Sequence, residues 1–169
     1  NAESSYQSAQ ESARTTLLST YASISDIVER RIDQTFTNPT GAQPRFVVSS
    51  SNSQLVADAE AGRLAMQPIL TRQALVSVSG MSTDALISEL ERTQVEVKTA
   101  QSFAQNVVQA LNGALTRASV TEGEIALYRL DAAAALSTAS ALSASIAGSI
   151  ENLTARRAAV TIAETSLST

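Results

Sequence analysis

Apolar residues recur every three or four positions along most of this chain, the mark of helices that each bury one face. Tyr6, Ala9, Ala13, Leu17, Tyr21, Ile24, Val28 and Ile32 form one such series and predict a first helix over residues 4–35. It should stop at Asn38-Pro39, because the residue before a proline avoids the α region. Leu55, Ala59, Gly62, Met66, Ile69 and Leu70 predict a second helix over residues 53–78, closed by Ser79-Gly80. Pro68 lies inside it and removes one backbone donor, so a kink is expected there. Leu86, Leu90, Val97, Ala100, Ala104, Val107, Leu111 and Ala114 mark the seam of a third helix over residues 83–117.

The fourth helix, residues 121–167, has the clearest start. Thr121 and Glu124 fit a capping box, in which each side chain bonds the other's backbone N–H, and Val120 and Ile125 sit where a hydrophobic staple needs them. Ile125, Ala132, Ala139, Ile146, Leu153, Val160 and Leu167 then follow at an unbroken spacing of seven. Tyr128, Ala135, Leu142 and Ala163 take the second seam position, interrupted by Ser149 and Arg156. A sustained seven-residue period implies a left-handed supercoil. At 1.5 Å per residue this helix would run for about 70 Å.

Between the first two helices, Pro39, Gly41 and Pro44 are turn formers. Arg45-Phe46-Val47-Val48-Ser49 reads as one short extended run with no obvious partner strand, expected to pack as an arm on the helices. Long helices joined by short connections should run up and down alternately, bringing both termini to one pole. The expected fold is therefore all-α. It is a single domain over residues 1–169, an elongated up-down-up-down four-helix bundle or antiparallel coiled-coil hairpin with one short extended segment.

Composition narrows the picture. Hydrophobic residues make up 44% of the 169, but aromatics only 4%, so the apolar content is mostly small and aliphatic and suits narrow helix seams. Gly (6) and Pro (3) are too scarce for many strand-joining turns. A net charge of −4 offers no basic track for a phosphate backbone, so nucleic acid is not an expected partner. No apolar run nears the roughly 18 residues that span a bilayer. The chain opens at Asn1 without a signal peptide and reads as a mature or excised fragment.

Candidate chemistry is sparse. There is no His and no Cys, which removes the usual general base, the thiolate nucleophile and the usual zinc ligands. No glycine-rich phosphate loop is present. Glu89 with Glu91, and Glu122 with Glu124, are spaced by two, which puts them on different helix faces, as solvated surface and capping groups. Arg30-Arg31 and Arg156-Arg157 read as surface ion-pairing doublets, with contact to a partner protein or acidic headgroups as the sharper alternative. Tyr6, Tyr21 and Tyr128 belong to the apolar series, with the hydroxyl at the rim. Ser137-Thr138 and Ser143-Ala144-Ser145 lack any base and suit close helix approach, and Gly148 beside Ala147 suggests a close crossing. No catalytic, cofactor-binding or metal-ligating residue is expected, and the chain is expected not to be an enzyme.

One series has a more specific look. Arg31-Ile32-Asp33, Phe36-Thr37-Asn38-Pro39, Pro44 and Phe46, Ser51-Asn52-Ser53-Gln54-Leu55 and Glu60-Ala61-Gly62-Arg63 resemble bacterial membrane-fusion proteins (periplasmic adaptors) of the HlyD type, in a subgroup with an enlarged α-hairpin. The resemblance extends over residues 17–169. Gln43 departs from it, standing before Pro44 where a stronger turn former is expected, and the lipoyl-like and β-barrel domains of a complete adaptor lie outside this sequence. It implies a non-catalytic module of a cell-envelope export or efflux system, extracytoplasmic or periplasmic. Its implied partners are an ABC- or RND-type membrane transporter and other envelope proteins, with self-association left open. No cofactor is implied, and membrane anchoring would come only through segments outside this fragment. The alternative is an extracytoplasmic four-helix-bundle sensor domain of a chemoreceptor or sensor kinase.

The missing ligands and bases give a first expectation. The purified chain should show no hydrolase activity and should lose added zinc or copper on dialysis. Stoichiometric metal in the dialysed protein, read by elemental analysis, would contradict it.

Overall fold

Four series of buried apolar residues become four helices, and helix makes up 81% of the computed structural model, which describes residues 2–116 and 120–167. The fold is all-α. Helix α1 spans Ala2–Ser25, α2 Ser53–Leu75, α3 Thr83–Asn112 and α4 Glu122–Leu167. Asn52 caps α2, its side-chain oxygen accepting from Gln54 N–H at 3.0 Å, and Ser82 caps α3 through Ala85 N–H at 3.3 Å. The capping box of α4 is present in both directions. Thr121 N–H donates to Glu124 Oε2 at 2.7 Å, and Glu124 N–H donates to Thr121 Oγ1 at 3.2 Å. These bonds hold the Glu124 carboxyl below the usual carboxylate range, the backbone bond first.

Helix α4 lies against both α1 and α3, and α2 lies against α3. Side-chain bonds give the directions. Arg129 Nε reaches Leu111 O at 3.0 Å, Gln101 Nε2 reaches Ser140 Oγ at 3.1 Å, and Arg157 pairs with Asp84, so α4 descends as α3 rises. Tyr6 meets Thr83 and Tyr21 meets Glu89, so α1 runs alongside α3 in the same sense. Ile125, Ala132, Ala139, Ile146 and Leu153 are all buried, as the seven-residue period predicts. Glu151 and Asn152 are exposed, and burial fades over the last turns. The side chain of Leu167 and residue Arg117 lie outside the described residues.

Four expectations need correction. The first helix is not uniform. After Ser25 the backbone widens into a π-helical turn, Asp26–Ile32, then tightens into a 3₁₀ turn, Asp33–Thr35. The wider turn brings i and i+5 together. Ile27 and Ile32 are both fully buried with Val28 between them, and Arg31 Nε bonds Asp26 Oδ2, five residues back, at 2.7 Å.

Second, the extended arm is not one unpaired run. Phe36–Thr37 (β1) pairs antiparallel with Arg45–Phe46 (β2), and Ser49–Ser50 (β3) with Ala114–Leu115 (β4). Backbone donors and acceptors away from water need partners, and these short ladders supply them. Phe36 meets Phe46 edge-on at 5.3 Å and Phe103 at 6.0 Å, which seats the arm on α3. Helix α3 accordingly stops at Asn112, short of 117, and Ala114 belongs to β4. A Cβ on Gly113 would stand 2.6 Å from Ser50 Oγ, so a larger residue here would require the Ser50 hydroxyl of β3 to turn away.

Third, Gly148 marks no crossing, since nothing lies within 4 Å of where its Cβ would be. The close approach is at Gly62 instead, where a Cβ would meet the Phe103 ring at 2.8 Å. Fourth, α4 contains an 18-residue stretch with mean hydropathy 1.3, long and apolar enough by length and composition to cross a membrane; 17% of it is buried. Serines and threonines interrupt every apolar run there, but residues 132–150 carry no charge, so the average stays high. At Pro68 α2 continues unbroken from Ser53 to Leu75.

The seam of α4 sets the stability expectation. Ile146 and Leu153 are fully buried, and each truncation to Ala in a packed core costs about 2–5 kcal/mol. Ile146→Ala with Leu153→Ala should remove a large share of a total of about 5–15 kcal/mol. Glu151→Ala should stay within about 0.5 kcal/mol. Chemical denaturation midpoints compare the two, and equal midpoints would refute the seam.

Candidate functional site

The chemically richest part of the molecule is a charged cluster held between α1, α2 and α3. Glu89, Thr93 and Glu96 stand at i, i+4 and i+7 on α3, one face of a helix. Arg72 and Gln73 come from the last turn of α2, and Tyr21 from α1. Arg72 binds Glu96 with two parallel bonds, Nε to Oε1 and Nη2 to Oε2, each 2.6 Å, and donates from Nη1 to Glu89 Oε1 at 2.7 Å. Gln73 Nε2 donates to Glu96 Oε2 at 2.7 Å. Tyr21 O–H donates to Glu89 Oε1 at 2.5 Å, and the Arg72 guanidinium lies 5.9 Å from the Tyr21 ring centre.

The cluster is largely desolvated. Glu96, Gln73, Thr93 and Tyr21 are buried, and Glu89 is nearly so. A bidentate guanidinium–carboxylate pair is among the strongest polar contacts available. Even so, desolvation offsets most of the gain, and such pairs contribute more to register than to net stability. The Arg72 guanidinium is held more firmly protonated than usual, chiefly by its bonds to Glu96, although burial works against this. Burial comes first among the causes that push the Tyr21 hydroxyl up to about 12, with its bond to Glu89 next.

A second buried pair lies near the arm. Arg63, 1% exposed, binds Asp33 through Nε at 2.5 Å and Nη2 at 3.0 Å. Arg63 Nη1 and Gln73 Oε1 are buried without a hydrogen-bond partner.

The groups singled out in the sequence are dispersed. Glu89 is not a solvated surface group but a nearly buried member of the cluster, whereas Glu91 faces solvent. Glu122 is exposed and Glu124 serves the cap. Arg30 and Arg31 both pair with Asp26, and Arg157 with Asp84, as ordinary surface doublets do. Tyr6 and Tyr128 are half-buried. Among the described residues no group of three or more metal-ligating side chains is placed to hold an ion. Sequence reasoning missed Arg72, Gln73, Glu96 and Asp33. The available signal was charge at inward positions of α2 and α3, where an apolar residue would otherwise continue the seam.

The chain matches no family model, no curated protein and no solved structure. Any functional reading therefore rests on the geometry and on the residues themselves.

Two expectations follow from the cluster. Arg72→Met should destabilise the protein by about 3–5 kcal/mol, because it leaves two carboxylates without their cation; thermal or chemical denaturation checks this. For Tyr21, the folded state binds the hydroxyl proton more tightly than the unfolded chain does. The associated stability is fully present below pH about 10, the ordinary tyrosine value, and is lost as pH rises towards about 12. A tyrosine titrating in that upper range should be visible by ultraviolet absorbance and absent in Tyr21→Phe.

Proposed function

We propose that this chain is a non-catalytic structural module of a bacterial cell-envelope export or efflux system. In this reading it bridges a membrane transporter of the ABC or RND type to other envelope components by helical contacts. The four helices then form an elongated up-down-up-down bundle, an antiparallel coiled-coil hairpin standing in the periplasm. The observation that carries the reading is the separation of the ends. Ser4 and Ser8 of α1 share a surface depression with Asn152 and Arg156 of α4. The strand pairs β1–β2 and β3–β4 lie where α1 and α3 finish and α4 starts.

A unit entered and left at one pole can be held from that pole while the other reaches outward. The outward pole is built from the residues that carry the resemblance to HlyD-type adaptors. Phe36, Pro44 and Phe46 pack the arm, and Asn38, at φ 52°, turns it. Asparagine tolerates this left-handed conformation better than most residues. Sensor domains also bring both termini to one pole, and the stapled arm is what favours the adaptor over them.

In-cell photo-crosslinking tests the proposal. A crosslinking residue at Thr37 or Asn38 of the full-length protein should capture a component of an envelope export system. The Ile146→Ala, Leu153→Ala pair should abolish export with the transporter still present. Undiminished export in that double variant, with crosslinks confined to signalling partners, would overturn the adaptor reading in favour of a sensor.

A further inference from the structure

We propose that the groove between the π-helical turn and α2 binds an alkylammonium group, carried by a small free amine or by a lysine side chain. The groove has a volume of about 260 Å³ and is lined by Tyr21, Ser25, Glu29, Leu70, Gln73 and Ala74. Gln73 points to a ligand. The residue is 6% exposed. Its amide nitrogen is committed to Glu96, and its amide oxygen is buried with no donor. A buried acceptor left unmade costs about 1–3 kcal/mol. That oxygen is closed to solvent, so in this proposal the amide turns about its last torsion, which is soft, to meet a donor entering the groove.

The charge around the groove selects the donor. Glu29 stands at its mouth, its carboxylate oriented by the Ser25 hydroxyl. Glu89 and Glu96 lie behind it, and their cation, Arg72, is already spent on both. Three carboxylates against one guanidinium leave a negative field, which repels anions and favours a donor bearing positive charge. A bare divalent cation would need six or more oxygen ligands, and the groove offers far fewer. Leu70 and Ala74 supply an apolar wall for an alkyl chain, and the Tyr21 ring adds a face that attracts cations. The widened backbone of the π-helical turn, a feature that recurs at functional sites, shapes this side of the groove.

The test is a titration of the folded chain with n-butylamine, followed by calorimetry and by the Gln73 side-chain amide signal in NMR. Saturable binding is expected with a Kd on the order of 1 mM. n-Butanol, of the same shape without the charge, should bind at least about tenfold more weakly. Glu29→Gln, at an exposed position, should weaken binding by a similar factor. Ala74→Leu, also exposed, should fill the groove and abolish binding, and Gln73→Met should abolish it without changing the helical spectrum. Nα-acetyl-lysine amide, its ε-ammonium free, binding more tightly than n-butylamine assigns the group to a polypeptide partner; equal or weaker binding assigns it to a free amine. Three results would each overturn the proposal: no saturation at about 10 mM, equal binding of n-butanol, or undiminished binding in both Glu29→Gln and Ala74→Leu.

Discussion

Ile125, Ala132, Ala139, Ile146 and Leu153 stand seven residues apart on α4 and are buried where α4 meets α1 and α3. The rest of the molecule is arranged around this seam. Three of the buried residues along it, Ala132, Ala135 and Ala139, are alanines, which let helices approach closely but bury little area each. Burial is worth about 25 cal/mol per Å², so a seam of small residues must be long to hold its partners. That requirement is met by a seam that runs from Ile125 to Leu153 within the 46 residues of α4, and the reciprocal cap fixes its first turn.

An apolar seam repeating every seven residues has a weakness, because a slip of one period costs little in hydrophobic contact. Directional bonds remove the ambiguity. Tyr21 to Glu89 fixes α1 against α3, Arg72 to Glu96 fixes α2 against α3, and Arg63 to Asp33 ties α2 to the end of the first helix. Gln34 to Asp131, at 2.6 Å, ties that same end to α4. Polar groups inside a seam commonly specify register at a cost in stability. Here they also leave Gln73 Oε1 and Arg63 Nη1 buried without partners, so the polar network is incomplete on α2.

The far end obeys a different constraint. Beyond Ser25 the first helix must deliver Phe36 to the arm while keeping Ile27, Val28 and Ile32 inside. The π-helical turn keeps all three inside while Arg31 pairs with Asp26, five residues back. The arm then closes on α3 through Phe36 and Phe103, and β3 closes on β4 past Gly113.

Some of this was legible in the residues alone. Periodicity determined the four helices, the inward faces of Leu17, Leu90, Val107 and Ile146, and the start of α4 at its capping box, because these depend on neighbours within a turn or two. The absence of His and Cys limited the available chemistry for the same local reason. The tertiary structure decided what depends on distant partners. Strand pairing of Phe36 with Phe46 and of Ser49 with Leu115, the early stop of α3, and the π-helical turn each answer a contact from another element. The cluster of Tyr21, Arg72, Glu89 and Glu96 joins residues up to 75 positions apart (21 to 96). In its own helix Tyr21 reads as one of an apolar series and Arg72, Glu89 and Glu96 read as surface groups, and only packing turns a solvated charge into a buried, partnered one.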